Sequence, residues 1–189
     1  SSSSPATCAA TGGAGIGAHS IYEDLDISGC TRWGMSITSM SMAKVFGCEV
    51  NTCGVQGMRF VTCGQLSIIG SASEGNNTLL QTSQEGNSQL LIKLCHGFSV
   101  ISFDVEAMPI GGVGAKVGIC IVNCNGGFLA GIHVLQTSLD TDSYGIRCIL
   151  NTLGVSIGSL VHGRIAVPVS ADGTSVYPSV LPRNVVKEA

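Results

Sequence analysis

The chain has 189 residues, of which 44% are hydrophobic and 11% are charged, whereas about a quarter charged is typical of soluble domains. This length suits one medium-sized domain, and the hydrophobic content excludes a disordered chain. The net charge of −3 and the scattered basic residues exclude strong non-specific binding to nucleic acid. The scarcity of charge predicts an exterior covered largely by partner molecules; the alternative is a monomer coated with Ser, Thr, Asn and Gly.

No uninterrupted run of about 18 apolar residues occurs, so we expect no membrane-spanning segment. A signal peptide is not visible, because the start lacks a charged region followed by an apolar one. Residues 1–17 consist mainly of Ser, Ala and Gly, and this composition predicts a flexible arm. The first residue, Ser1, fits either a product cut from a longer precursor or a trimmed chain. Residues 18–189 are then expected to form a single β domain.

After the arm, the pattern predicts short β-strands with frequent breakers. Residues 35–42 (MSITSMSM) largely alternate apolar with hydroxyl side chains, which predicts one strand with a buried face. Residues 57–69 predict a pair of strands broken near Gly64, and residues 109–114 predict a loop. Further strands are predicted at 90–94, 98–105, 116–122, 128–135, 144–150, 155–160 and 164–169.

The order of these segments indicates the fold class. Many short strands with glycine-marked turns are typical of an antiparallel sandwich or barrel. The 26 glycines interrupt nearly every window that could form a helix. No internal repeat is evident, which argues against a solenoid. The chain is therefore predicted to be all-β.

The chain contains nine cysteines, an odd number, whereas a secreted disulfide scaffold usually has an even one. Cys120 and Cys148 lie within apolar runs and are predicted to be small buried residues. A reducing compartment is therefore favoured. The pairs Cys48 with Cys53 and Cys120 with Cys124 lack the C-x2-C spacing of structural zinc sites, and the histidines do not cluster with them, so we predict no metal site.

Residues 154–158 (GVSIG) match the motif of a nucleophilic serine at Ser156. That motif needs an acid and then a histidine downstream, but His162 precedes Asp172 and the flanking pattern is that of a strand. We interpret the match as a glycine-bearing strand. Cys95 and His96 are adjacent and would point to opposite faces of a strand, so they cannot form a catalytic dyad. No catalytic residue is predicted, and the chain is expected not to be an enzyme.

The glycine-rich segments do not meet the requirements of cofactor sites. Residues 111–116 (GGVGAK) resemble a phosphate loop, but Ala115 and Val117 stand where Gly and a hydroxyl residue are required. Residues 13–17 (GAGIG) miss the dinucleotide spacing. Residues 140–145 (DTDSYG) resemble the start of a calcium loop without its later carboxylate or flanking helices, so an acidic loop between strands is predicted. No cofactor is expected.

Residues 90–124 (LLIKLCHGFSVISFDVEAMPIGGVGAKVGICIVNC) predict a strand, a His-Gly break, a long strand, a Gly-rich loop and another apolar strand. Together with the low charge, the small-residue arm and the missing initial Met, this segment resembles the early strands of coat proteins of picorna-like viruses. The resemblance extends to the small coat proteins of the plant-infecting secovirid group, such as cheraviruses. It implies an antiparallel β-sandwich of the jelly-roll type, with residues 166–178 forming the closing strand and tail.

The resemblance also implies a function. The chain would be a structural capsid subunit that assembles with other coat proteins into an icosahedral shell around an RNA genome, in a virion assembled in the host cytoplasm. Because the chain lacks a basic arm, contact with the RNA would be weak at most. Symmetry-repeated contacts hold such a shell even when each is weak, so deletion of residues 1–17 should impair assembly more than folding.

The alternative is a secreted β-sandwich that binds carbohydrate or forms part of an adhesive appendage. The Asn76-Asn77-Thr78 glycosylation sequon suits it, although such sequons also occur by chance. Trp33, next to Arg32, is the single candidate for stacking against a sugar ring. A count of free thiols would separate the two hypotheses: nearly all free favours the capsid, and four disulfide pairs favour secretion.

Overall fold

The computed structural model describes residues 19–79, 83, 85, 87–106, 116–176, 178–180 and 185–187, with the backbone alone at 137–141 and 180. The predicted arm over residues 1–17 lies outside these residues. Regular structure in the described part consists of β-strands, and no helix there is long and apolar enough to cross a membrane.

Within the described residues the chain forms sixteen strands: β1 (His19–Glu23), β2 (Asp26–Ser28), β3 (Met35–Thr38), β4 (Met42–Phe46), β5 (Glu49–Asn51), β6 (Met58–Val61), β7 (Gln65–Ile69), β8 (Ala72–Glu74), β9 (Ser88–Lys93), β10 (His96–Glu106), β11 (Lys116–Val122), β12 (Asn125–Ile149), β13 (Leu153–Ile157), β14 (Leu160–Ala171), β15 (Ser179–Val180) and β16 (Val185–Lys187).

Every registered strand pair among the described residues is parallel. Strand β1 pairs with β4 and β4 with β7, each time at a step of 23 residues. The step lengthens to 32 residues from β7 to β10, to 29 from β10 to β12, and to 28 from β12 to β13. The chain is therefore a parallel β-solenoid of about five turns.

This architecture corrects two predictions. The antiparallel jelly-roll sandwich is wrong, and the argument against a solenoid is wrong as well. The alternation of apolar and polar residues is the same in both folds, because it reflects one buried face and not the direction of the neighbouring strand. The prediction that the chain is all-β agrees with the structure.

Each turn of the solenoid contributes to three parallel sheets. The first sheet contains β1, β4, β7, the start of β10, the start of β12, β13 and β15. The second contains β2, β5, β8, the end of β10, the middle of β12, the start of β14 and β16. The third contains β3, β6, β9, β11, the end of β12 and the end of β14.

The chain bends between the first and second sheets at one left-handed residue in each of five successive turns, although the bend from β13 to β14 has none. The residues at this corner are Asp24, Gly47, Gly70, Ser102 and Gly131, with φ between 50° and 62°. A second column of left-handed residues follows the third sheet: Ser39, Thr62, Leu94, Asn123 and Leu150. A single left-handed residue redirects the chain without reversing it, and the recurrence of such residues allows all strands to run parallel.

The core lies between the three sheets. In the third sheet Ile37, Phe60, Ile92 and Ile121 are neighbours in successive turns, and all four are fully buried. Burying such a side chain contributes about 1.5–3 kcal/mol. Every turn thus adds one layer to a continuous apolar column.

At the corner that follows the third sheet, side chains accept hydrogen bonds from backbone N–H groups of the preceding turn. The N–H of Cys63 donates to Sγ of Cys95, and the N–H of Cys95 donates to Sγ of Cys124, both at 3.4 Å. The N–H of Cys124 then donates to Oγ1 of Thr152 at 3.5 Å, and that of Thr152 to Oγ of Ser175 at 3.1 Å. This ladder links successive turns by side-chain hydrogen bonds.

Two local predictions are also wrong. Residues 35–42 do not form one strand, because left-handed Ser39 ends β3 and the chain turns the corner before β4. Residues 140–145 do not form a loop between strands, because they lie within β12. The predicted loop at residues 109–114 lies outside the described residues.

Candidate functional site

A concave site opens where the segments connecting the second and third sheets meet the outer face of the third sheet. Its cavity volume is about 370 Å3, within the range of small-molecule pockets. Arg59 lies on β6 and Lys93 on β9, whereas Arg32 and Gln56 precede β3 and β6.

Stacking of the turns brings these residues together. The N–H of Val55 donates to the carbonyl of Arg32 at 2.6 Å, and that of Gly34 donates to the carbonyl of Gln56 at 3.3 Å. Ser36 on β3 is the register partner of Arg59 on β6. Residues about 23 positions apart therefore become neighbours in space.

Trp33 holds two guanidinium groups in the pocket wall. Cζ of Arg32 lies 4.3 Å from the centroid of the Trp33 ring, and Cζ of Arg59 lies 5.0 Å from it. This geometry is that of cation–π contacts. Nη1 of Arg59 also donates to Oγ of Ser36 at 3.1 Å and to Oγ1 of Thr38 at 3.5 Å. The indole thus positions the arginines instead of presenting an uncovered platform for a sugar ring.

The charges of the pocket do not cancel. Nζ of Lys93 lies 2.7 and 3.0 Å from the carboxylate oxygens of Glu85. Among the described residues, no carboxylate forms an ion pair with Arg32 or Arg59. Burial lowers the pKa of Arg59, the charge of Glu85 raises it in part and that of Arg32 lowers it, but a guanidinium stays charged in proteins. Neither guanidinium group in the cavity wall therefore has a carboxylate within ion-pairing distance among the described residues, and Glu85, which is paired with Lys93, acts on Arg59 only from further away.

The outer face of the second sheet has the opposite charge. Its carboxylates are Asp26, Glu49, Glu74, Asp104 and Glu106. Burial raises the pKa of Glu74, and the neighbouring carboxylates Glu106, Glu49 and Asp104 raise it further. Nδ1 of His133 lies 2.9 Å from Oδ1 of Asp104, and these two residues with Glu106 offer three ligand atoms within 4.8 Å of one another. Such a set has the chemistry to hold a divalent cation.

The structure separates the residues of the serine motif. Ser156 lies on β13, where its hydroxyl contacts Oγ of Ser179 at 2.9 Å. His162 is buried on β14, and burial and the nearby Lys187 lower its pKa. The carboxylate of Asp172 accepts the N–H of Leu150 at 2.9 Å.

The described cysteines are buried free thiols, as predicted for Cys120 and Cys148. Burial raises the pKa of Cys148 to about 12 and that of Cys53 to about 11, so both are protonated at neutral pH. Cys95 is buried and its neighbour His96 is exposed, in line with their predicted opposite directions.

The glycine-rich segments 13–17 and 111–115 lie outside the described residues.

The sequon asparagine belongs to the interior. Asn76 is fully buried, and its Oδ1 accepts the N–H of Cys53 at 2.8 Å. Its Nδ2 lies 3.0 Å from the carbonyl of Val50 and 3.0 Å from Oε1 of Gln89. The folded chain therefore does not present this side chain for glycosylation.

Sequence patterns identified Trp33 and Arg32 but missed Gln56, Arg59 and Lys93. A signal was present: residues 30–35 (CTRWGM) and 53–58 (CGVQGM) share Cys, Gly and Met at a spacing of 23 residues. This short repeat places Gln56 one turn above Trp33.

The fold and the pocket define the chain as a parallel β-solenoid with a cationic pocket on its side. No protein-family model, curated protein or solved structure matches it.

Proposed function

We propose that the chain is a binding module that holds an anionic ligand in the pocket lined by Arg32, Arg59 and Lys93. The observation that carries this proposal is the pair of guanidinium groups fixed over Trp33 with no carboxylate partner among the described residues. The sandwich fold of the predicted carbohydrate-binding alternative is wrong, but a binding function does not depend on it.

The chemistry of the site favours an anion over a neutral ligand. A guanidinium presents a planar fork of donors that matches the two oxygens of a carboxylate or the oxygens of a phosphate. The Trp33 ring limits the rotation of both groups, so little conformational entropy is lost when a ligand binds. Glu85 neutralises Lys93, which leaves the arginines as the main attraction.

Arg59→Gln tests the proposal. Lys44→Gln is the matched control, because it also removes one positive charge but lies on the outer face of the first sheet, away from the pocket. Loss of a charge-assisted hydrogen bond costs about 1.5–3 kcal/mol, so Arg59→Gln should weaken binding roughly 10- to 150-fold. The measurement is isothermal titration calorimetry with glucuronate, sulfate and phosphate. Saturable binding of at least one of them, unchanged in Lys44→Gln, is expected.

Two outcomes would contradict the anion site. One is the absence of saturable binding by all three anions. The other is equal weakening by Arg59→Gln and Lys44→Gln, which would indicate a general charge effect instead of a pocket.

A second proposal, assembly with other subunits, is favoured by the outer face of the first sheet. Ile69 and Phe128 are exposed there by 36% and 44%, and the described outward positions of β7, the start of β10, the start of β12 and β13 carry no charge. An uncharged face that exposes large apolar side chains is a feature of protein interfaces.

The capsid hypothesis is one form of that second proposal and stays a prediction, without the jelly-roll fold that its resemblance implied. Its test is the mass of the native particle, by light scattering or electron microscopy. A closed shell with companion coat proteins would support it, and a monomer would contradict it.

A further inference from the structure

Three side chains that can ligate a metal ion come together on the outer face of the second sheet. Asp104 and Glu106 are two residues apart on β10 and therefore share one face of the strand. His133 on β12 is the register partner of Asp104 in the next turn. One oxygen of each carboxylate and one ring nitrogen of the imidazole lie within 4.8 Å of one another. The parallel register thus collects ligand atoms from two turns at one place.

The spacing of Asp104 and His133 suits two ligands of the same ion. Oδ1 of Asp104 lies 2.9 Å from Nδ1 of His133. Two metal–ligand bonds of about 2.1 Å place their ligand atoms about 3.0 Å apart at a right angle and about 3.4 Å apart at a tetrahedral angle. The side chains of His133 and Asp104 are 30% and 40% exposed, so an ion can reach both from solvent.

The carboxylates around this set repel one another. Glu106 is the register partner of Glu74 in the preceding turn, so two negative charges lie side by side on adjacent strands. Burial raises the pKa of Glu74, and the neighbouring carboxylates, of which Glu106 has the largest effect, raise it further. Within the described residues, neither Glu74 nor Glu106 forms an ion pair with Lys or Arg. A bound cation would relieve this repulsion, and the relief would add to its affinity.

We propose that Asp104, Glu106 and His133 bind a divalent transition-metal ion that accepts both nitrogen and oxygen ligands, such as Zn²⁺. Carboxylates alone would suit Mg²⁺ or Ca²⁺, but the imidazole shifts the preference towards Zn²⁺. Three protein ligands leave the remaining coordination positions to water. The cysteine spacings that argued against a metal site do not bear on these ligands, which only the winding of the chain brings together. The site is independent of the anion pocket, whose lining includes none of the three residues.

Calorimetry on the intact chain tests this site, with Zn²⁺ and Mg²⁺ as the probes. We expect one saturable Zn²⁺ site that binds Zn²⁺ at least about 10-fold more tightly than Mg²⁺. His133→Gln should weaken Zn²⁺ binding at least about 10-fold, because even the loss of a group that supports a metal ligand costs about 10- to 100-fold in affinity. His96→Gln is the matched control: it removes another partly or fully exposed imidazole, at the start of β10 in the first sheet, and should leave binding unchanged.

Mn²⁺ locates the ion on the wild-type chain without any variant. This ion prefers oxygen and nitrogen ligands to thiols, so the buried cysteines do not compete for it. Its unpaired electrons broaden the NMR signals of nearby nuclei. We expect the backbone amides of Asp104, Glu106 and His133 to broaden at the lowest Mn²⁺ concentrations.

Four outcomes would overturn the metal site. They are the absence of saturable Zn²⁺ binding, equal Zn²⁺ affinity in wild type and His133→Gln, Mn²⁺ broadening that begins elsewhere, and Mg²⁺ binding as tight as that of Zn²⁺. The last result would indicate general attraction to an acidic face. None of the four affects the anion pocket, which is tested by anions and by Arg59→Gln.

Discussion

Asn76 links three segments of the solenoid through one buried amide. Its oxygen accepts from Cys53 of the preceding turn, and its nitrogen lies within hydrogen-bond distance of the carbonyl of Val50 and of Gln89 on β9. Gln89 in turn accepts the backbone N–H of Asn76 at 3.1 Å. Because these groups are buried, each depends on this side chain for a partner.

Asn76→Ala should therefore destabilise the chain. The N–H of Cys53 and the carbonyl of Val50 would each lose a partner, and an unsatisfied buried group costs about 1–3 kcal/mol. Urea unfolding measures the loss, with exposed Asn125→Ala as the control, for which a change within about 0.5 kcal/mol is expected. A loss in Asn76→Ala no larger than that of the control would contradict the role assigned to this amide.

The burial of Cys120 and Cys148 could be predicted from the sequence, because a thiol inside an apolar run behaves as a small hydrophobic residue. It did not predict the role of Asn76. An asparagine beside Asn and Thr has the composition of a surface turn. Apart from Ser73, its side-chain partners are 13 to 26 residues away, so no local pattern reveals them.

The bends between the sheets determine whether neighbouring strands pair in parallel or antiparallel. The corner between the first and second sheets has a left-handed residue in five successive turns, including Gly47, Gly70 and Gly131. A hairpin turn reverses the chain, whereas these bends carry it forward into the next sheet. The parallel arrangement of the strands therefore depends on these forward bends.

Gly70→Ala tests this requirement. Gly70 has φ of +60°, and a Cβ added there would meet no atom within 4 Å, so the cost is conformational alone. We expect a loss of about 1 kcal/mol in the free energy of unfolding. Gly173→Ala is the control, since that glycine is not left-handed and its surroundings are also open. A loss no larger in Gly70→Ala than in Gly173→Ala would argue against the corner geometry.

Most strand positions could be predicted from the sequence, but their pairing could not. The predicted segments 90–94, 98–105 and 116–122 correspond to β9, β10 and β11. The glycines and polar residues between strands indicate the turns of an antiparallel sandwich or barrel, because a corner between parallel sheets and a short antiparallel turn have similar compositions. The repeat of 23 residues is visible in the first turns and is then masked by steps of 32, 29 and 28 residues.

Across the whole molecule, the three outer faces differ in character. The first sheet presents mainly apolar and hydroxyl side chains, with Glu23 and Lys44 in its first turns. The second presents carboxylates, and the third presents Arg59, Lys93 and Arg147. Composition alone indicated a surface poor in charge, and the fold adds that five carboxylates collect on the second sheet. Only the winding of the chain determines this, because each face collects one short strand from every turn.

The pocket is a product of the same winding. Arg32, Gln56, Arg59 and Lys93 come from three successive turns, and the chain separates the first from the last by more than two turns. No single segment contains the site. Its existence depends both on the parallel register and on the positions of the connecting segments.

The most direct test is to add the most tightly bound of the three anions to isotope-labelled protein and follow the backbone amides by NMR. We expect one saturable transition to shift the amides of Arg32, Gln56, Arg59 and Lys93 together, with a single dissociation constant. Shifts confined to one continuous segment, shifts on the acidic face around Asp104, or no saturable shift would contradict a pocket assembled by stacked turns.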